Sequence, residues 1–251
     1  MEPLYKTFSR STLGQNGYLT DFEILCPDNF NFAYDVVDEI ARQEPDKTAL
    51  VWCDVQGNEK ILTFGEMSAL SSKAAAALQH AGIQRGDRVM VILKRHYEYW
   101  YTILALHKLG AVAIPATYML SAKDIVYRVQ NAGVCAVIAA EDAQICAHIL
   151  AAQAECPTLR LLFNVRQDRA GFIRLDTALQ QESDDFDRVE TASTDPFILY
   201  FTSGTTGYPK IAAHSYKYAL GHYITAKYWH CVHADGLHFT ISETGWGKAL
   251  W

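Results

Sequence analysis

The stretch RGDRVMVILKRHYEYWYTILALHKLGAVAIP, residues 85–115, holds one complete strand–helix–strand unit. Val89-Met90-Val91-Ile92-Leu93 follows the turn residues Arg85-Gly86-Asp87-Arg88 as a short unbroken apolar run, the pattern of a strand. A helix runs from about His96 to Leu109 and is closed by Gly110, a residue free to take the left-handed conformation at a helix end. Val112-Ala113-Ile114 returns as a second strand. Two strands joined through a helix read as parallel neighbours, because parallel pairing needs a crossover connection of that length.

The same alternation extends to both sides. Upstream, Thr63 and Glu66 form a capping box that opens an Ala-rich helix with Met67, Leu70, Ala74, Ala77, Leu78 and Ala81 on one face and Gly82 at its exit. Before it, Thr48–Cys53 and Lys60–Thr63 flank Gln56-Gly57-Asn58 as a hairpin, and Phe32, Val36, Val37 and Ile40 follow helical spacing ahead of Pro45. Downstream, Ser121 and Asp124 start a helix ending at Gly133. A strand over Val134–Ala139, a helix across Ala143–Ala154 and a strand over Leu159–Val165 follow. The expected fold is α/β: doubly wound, mainly parallel sheet layers with flanking helices. Residues 1–31 lack periodicity and read as an irregular arm, and 32–190 reads as a first α/β lobe. The polar segment Gln180–Asp195 marks a boundary, and 191–251 reads as the start of a nucleotide-binding lobe.

Composition narrows the function. Half of the 251 residues are apolar and a fifth are charged, the profile of a globular protein with a large core. A formal net charge of -6 at pH 7, with 28 acidic against 22 basic residues, leaves no diffuse cationic field for nucleic acid or anionic lipid, so neither partner is expected. Tyr97, Tyr99, Trp100, Tyr101 and Phe8 lack the interleaved cations of a single-strand binding platform and read as packing. No apolar run approaches the about 20 residues of a spanning helix, and Met1–Lys6 lacks a signal-peptide core, so no membrane and a cytoplasmic location are expected. The six cysteines are scattered without a CxxC pair and read as reduced thiols.

The chemistry lies in one nonapeptide. The apolar strand Phe197-Ile198-Leu199-Tyr200-Phe201 runs into Thr202-Ser203-Gly204-Thr205-Thr206-Gly207-Tyr208-Pro209-Lys210. Two glycines let backbone N–H groups approach an anion, four hydroxyls add donors and Lys210 adds a positive charge. The spacing is neither that of a Walker A loop nor that of a kinase Gly-rich loop. Taken by composition alone, such a loop also fits a surface turn ending in a solvated lysine.

As an ordered motif, Thr202–Lys210 resembles the phosphate-binding signature of the adenylate-forming superfamily of acyl-CoA synthetases, luciferases and peptide-synthetase adenylation domains. Leu62-Thr63-Phe64-Gly65-Glu66, Gln84–Val89 and Leu109–Pro115 resemble that family's preceding blocks in the right order. Asp124–Gln130, Ala213-His214-Ser215-Tyr216 and Ile241-Ser242-Glu243-Thr244-Gly245-Trp246 resemble the medium-chain acyl-CoA synthetases, with Glu243 where Asp is expected. The resemblance implies a two-step reaction with ATP, Mg²⁺ and CoA: a short, medium or branched carboxylic acid attacks the α-phosphorus, and CoA then displaces AMP. It implies that Thr202–Lys210 binds the nucleotide, with Ser203, Thr205 and Thr206 on the β- and γ-phosphates and Lys210 and Thr205 in catalytic roles. It places Gly245 and Trp246 near the acyl tunnel, and His214, at the start of the next expected helix, within reach of nucleotide or acid. Packing is the competing reading for Trp246 and His214, and Lys248 reads as a solvated cation.

His230, Cys231, His233 and His238 match zinc spacing only in part, and no metal ligands are assigned. The resemblance further implies an adenine and ribose site, a hinge and a C-terminal domain with a catalytic lysine, none of which this sequence contains. A truncated chain, inactive alone, is therefore expected. The alternatives are an adenylation domain that loads an acid onto a carrier protein, and a non-catalytic binding module on the same scaffold.

Overall fold

The computed structural model describes residues 3–203, 207–233 and 235–250. A short helix α1 (Tyr5–Phe8) leads into a hairpin of β1 (Ser9–Leu13) and β2 (Leu19–Ile24), where Ser9 pairs with Ile24. The N-terminal arm is thus not irregular. Most of the side chains of this hairpin face solvent, so the apolar alternation that marks a half-buried strand is missing from the sequence. A π-helical segment, Ala33–Asp38, runs into α2 (Glu39–Gln43), where spacing predicts one α-helix. The expected hairpin follows as β3 (Thr48–Cys53) and β4 (Glu59–Thr63), antiparallel with Val51 opposite Ile61.

α3 (Phe64–His80) opens with the expected capping box: the Thr63 hydroxyl accepts from the Glu66 N–H at 3.2 Å, and the Glu66 carboxylate accepts from the Thr63 N–H at 2.9 Å. β5 (Arg88–Ile92), α4 (Glu98–Leu109) and β6 (Val112–Pro115) form the strand–helix–strand unit, with Gly110 at φ 73° ending the helix. α5 (Ala122–Ala132) begins at a second capping box between Ser121 and Asp124. β7 (Ala136–Ala139), α6 (Ala143–Glu155), β8 (Leu161–Asn164), β9 (Ile173–Arg174) and α7 (Leu175–Ala178) complete this part. β10 (Pro196–Thr202), β11 (Lys210–Ser215), α8 (Lys217–Gly221) and α9 (Tyr223–Tyr228) follow.

Seven strands form one sheet in the order β11-β10-β6-β5-β7-β8-β9, parallel at every pairing except β10 with β11. Met90 in β5 sits opposite Ile114 on one side and Val137 on the other. Both faces are covered. Val89 and Val91 join the core that contains Leu78 of α3 and Leu106 of α4, while Met90 and Ile92 join the core that contains Ile125 of α5 and Ile145 of α6. Alternate side chains of a strand point to opposite faces, so a strand with two apolar faces requires a helical layer on each. The doubly wound α/β expectation is met.

β10 hydrogen-bonds to β6, with Ile198 opposite Ala113, so the division expected near residue 190 falls inside one sheet. The polar segment before β10 lies across the N-terminal arm. Arg188 pairs with Asp35 at 2.6 Å, and the Ser193 N–H donates to the Asp28 carbonyl at 2.6 Å.

α4 is buried on nearly all sides, its polar residues included. Lys108 is 1% exposed; its ammonium contacts Asp38 at 2.9 Å and donates to the Ser72 hydroxyl at 2.9 Å and the Ser68 carbonyl at 3.2 Å. Burial lowers its pKa, and Asp38 opposes that shift. Asp38→Ala leaves a buried cation without its counter-charge and is expected to cost about 3–5 kcal/mol in urea unfolding. Lys108→Met keeps the packing stem, and leaves a partly exposed Asp38 still accepting from Ser68 at 2.7 Å, so it is expected to cost far less.

His107 is fully buried against Phe197, with ring centroids 4.7 Å apart, and neither ring nitrogen has a hydrogen-bond partner among the described residues. Burial pushes its pKa from 6.5 down to about 3. Between those values the unfolded chain binds a proton that the folded chain does not, so stability falls as pH drops through that window. His107→Leu is expected to reduce the loss of unfolding free energy between pH 7 and pH 5 by on the order of 2 kcal/mol.

Candidate active site

In a doubly wound sheet, ligands bind outside the carboxyl ends of the parallel strands. Here β10 ends in the chemistry-bearing loop. Thr202 and Lys210 are register partners in the β10–β11 ladder and close the base of the connection between the two strands. The Thr202 hydroxyl donates to the Lys210 carbonyl at 3.4 Å. Thr202, Ser203, Gly207, Tyr208 and Lys210 are exposed, and Pro209 is partly buried. Gly207 has φ 89°, a conformation that favours glycine. Gly204, Thr205 and Thr206, and with them the catalytic role expected for Thr205, lie outside the described residues.

The loop rests on α5. The Tyr127 hydroxyl donates to the Pro209 carbonyl at 3.0 Å, and its ring stacks on Tyr208 at 5.3 Å. The Arg128 guanidinium lies over the Phe201 ring at 5.1 Å.

The segment expected to line an acyl tunnel docks on the neighbouring strand ends. Thr244 is buried, and its hydroxyl donates to the Lys94 carbonyl, just beyond β5. Arg95 Nε donates to the Ser242 carbonyl at 3.2 Å. Gly245 presses on the turn after β6: a Cβ there would lie 2.4 Å from the Thr117 nitrogen and 2.5 Å from the Ala116 carbonyl carbon. Burial pushes the Glu243 carboxyl up, against the Gly245 N–H and the Thr117 and Thr244 hydroxyls that hold it down. Lys94 itself has φ 50° and pairs with Asp142 at 2.7 Å, and His96 meets Glu141 at 2.8 Å. These two contacts span the loops after β5 and β7, where the crossover helices change face.

Trp246 is 58% exposed, so in this structure neither buried packing nor a closed pocket describes it. His214 is not at a helix start but in β11, which is antiparallel to β10. Its ring lies 3.9 Å from that of Tyr218 and 5.8 Å from that of Tyr200, and burial lowers its pKa. Tyr200 in turn lies under Gly247, whose Cβ would sit 3.6 Å from the ring. His214 therefore reaches the 245–247 segment through Tyr200. Lys248, His230, Cys231, His233 and His238 are exposed, and no cluster of three or more His, Cys, Asp or Glu placed to hold a metal occurs among the described residues. Sequence reading missed Lys94, Thr117 and Tyr127. For Lys94 and Thr117, position just beyond a strand end was the available signal.

The strand-end loops, the hairpin and the two-faced sheet define an α/β fold shared with solved CoA ligases. The crystal structure of an acyl-CoA synthetase from Brucella canis superposes with a TM-score of 0.78 over 89% of this chain and 40% of that one, at 23% identity. The anthranilate CoA ligase AuaEII in complex with anthranoyl-AMP superposes with a TM-score of 0.68 over 81% and 38%, at 21% identity. At these identities the likeness is one of fold. The sequence profile of the AMP-binding enzyme family matches residues 37–242, and the chain belongs to that family.

Curated relatives include the mitochondrial acyl-coenzyme A synthetase ACSM4 of Rattus norvegicus, 38% identical over 92% of this chain and 42% of its own length. ACSM3 of Mus musculus is 35% identical over 100% and 45%, and ACSM5 of Homo sapiens 35% over 90% and 40%. The chain spans less than half the length of these relatives. All three are mitochondrial by name, which overturns the cytoplasmic expectation. That expectation rested on a missing apolar segment, but mitochondrial targeting segments are amphipathic and Arg-rich, so hydropathy does not test for them.

Gly245→Ala sets a methyl against backbone on both sides of the Ala116–Thr117 peptide, and overpacking of this kind costs about 1–3 kcal/mol. Amide hydrogen exchange is expected to accelerate about tenfold or more in residues 242–247 while β5, β7 and β8 stay protected. Unchanged exchange there would show that the close approach is absent.

Proposed function

We propose that this chain carries the phosphate-binding hairpin and part of the acid-binding surface of an ATP-dependent acid:CoA ligase. In this reading the parent enzyme activates a short-, medium- or branched-chain carboxylic acid as its acyl-adenylate and passes the acyl group to CoA. The observation that carries the reading is that the Gly- and hydroxyl-rich sequence Thr202–Lys210 joins the end of β10, at the carboxyl edge of a parallel sheet, to β11, with Lys210 paired to Thr202 at its closing end. Membership of the AMP-binding enzyme family and the names of the curated relatives support it.

During in-line displacement at the α-phosphorus, charge spreads over phosphoryl oxygens, and preoriented donors stabilise it without rearranging. Exposed Ser203 offers a hydroxyl and Lys210 a cation at that edge, a donor set that fits a polyphosphate. Mg²⁺, which binds chiefly through substrate phosphates and keeps several waters, would supply further charge neutralisation there. Gly245 and Trp246 supply the acid-binding surface, next to the turn after β6. His214 supports it through Tyr200. The relatives' names favour a mitochondrial setting. Because the chain spans 42% of the first of these relatives, turnover in this reading belongs to the longer protein, and the isolated chain binds phosphate without completing the reaction.

The test is ATP–pyrophosphate exchange by a protein carrying this segment at the relatives' length, across acetate, butyrate, 2-methylbutyrate, octanoate, benzoate and several amino acids. Exchange stimulated by a fatty acid, followed by CoA-dependent thioester release, is expected. Lys210→Ala is expected to lower exchange by about 10²–10³-fold. Exchange at the wild-type rate in that variant would overturn the reading.

A further inference from the structure

The closing leg of the hairpin is held from outside by one side chain in two ways. Tyr127 donates its hydroxyl to the Pro209 carbonyl at 3.0 Å, and its ring stacks on Tyr208 at 5.3 Å with 23° between planes. The same ring meets Phe201, on the entering leg, edge-on at 6.5 Å. One helical residue therefore touches both legs of the loop.

Its helix is well fixed. Ile125 and Val129 are fully buried in the core beneath, a capping box starts α5, and Gly133 at φ 62° ends it. β11, by contrast, is the edge strand of the sheet and hydrogen-bonds within it to β10. A donor loop stabilises developing charge only if its groups are oriented before the substrate arrives. Pro209 has a ring-fixed φ, so holding its carbonyl sets the plane of the peptide that leads into Lys210.

We propose that Tyr127 is a positioning residue for phosphate binding: its hydroxyl and ring set the closing leg of the hairpin and so the direction in which Lys210 is presented. The proposal rests on the phosphate-loop reading above. Tyr127 touches no phosphate itself in this role; it acts through Tyr208 and Pro209.

The test is calorimetric titration of the full chain with inorganic pyrophosphate and Mg²⁺, with thermal unfolding measured alongside, for wild type, Tyr127→Phe, Tyr127→Leu and Lys210→Ala. Tyr127→Phe removes only the hydrogen bond and is expected to weaken pyrophosphate about fivefold with the unfolding midpoint unchanged. Tyr127→Leu also removes the stack and is expected to weaken it further. If Lys210→Ala abolishes binding while Tyr127→Phe binds as wild type does, the role assigned to Tyr127 is wrong and the phosphate-loop reading stands. Weakening that merely follows a lowered unfolding midpoint also overturns the role. If wild type binds no pyrophosphate, or Lys210→Ala binds equally well, the loop reading falls and the proposal falls with it.

Discussion

The burial of α4 on nearly every side constrains the rest of the molecule. A helix inside a protein must still satisfy the carbonyls of its last turn and any charged side chain it carries. Here the partners come from distant parts of the chain. The His107 carbonyl accepts from Asn31 Nδ2 at 2.8 Å and from the Tyr216 hydroxyl at 3.0 Å, and the Lys108 carbonyl accepts from the Tyr34 hydroxyl at 3.1 Å. At the other end Glu98, nearly fully buried, takes a two-pronged contact from Arg166 at 2.6 and 2.8 Å. Apolar burial drives the helix onto the sheet, but these polar partners allow only one placement of residues 31–38, 166 and 216 around it.

That placement carries through to the carboxyl edge of the sheet. The Arg166 guanidinium also lies over the rings of Trp52 and Tyr97, and the Trp52 indole donates to the Arg95 carbonyl at 2.6 Å. The loop after β5 is thereby gripped from behind by the same ion pair that anchors α4. Thr244 and Ser242 then dock on Lys94 and Arg95. On the hairpin side, Phe197 of β10 packs against both His107 and Tyr216, so the strand that leads into Thr202 is set by the carboxyl end of α4. The 242–247 segment and the β10–β11 hairpin are thus both referred to a single buried element.

What could be read from the sequence is what is locally encoded. Thr63 with Glu66 and Ser121 with Asp124 announce two helices because a capping box closes within four residues, and Gly110 and Gly133 mark helix ends by their own conformational freedom. The β5–β8 strands show because both their faces are apolar. Where a partner is remote, the signal fails. β11 is an edge strand whose identity comes from pairing with β10, and Ala212-Ala213-His214 has no period of its own, so a helix start was as good a reading. The π-helical segment over Ala33–Asp38 keeps the apolar spacing of an α-helix and differs only in hydrogen-bond register. Contacts such as Lys94 with Asp142 and Tyr127 with Pro209 link residues 48 and 82 positions apart, beyond any local pattern. The Thr202–Lys210 motif is local in sequence and stands out there, whereas the attachment of Tyr208 and Pro209 to α5 does not.

Charge alone does not make the hairpin a phosphate site. The protein is net acidic, so its overall field opposes polyphosphate rather than collecting it. Lys210 is exposed at the end of an edge strand, and an exposed ion pair in water contributes only about 0–1 kcal/mol. Affinity in this setting must come from several donors acting together on one anion, which requires them to converge before the anion arrives. Convergence depends on the backbone of the hairpin, and the backbone depends on the ladder pair at its base, the aromatic contacts on its two legs and the sheet beneath. In the proposed reading, the packing of apolar and aromatic groups around the loop therefore sets the orientation of the donors, the lysine among them, on which phosphate affinity depends.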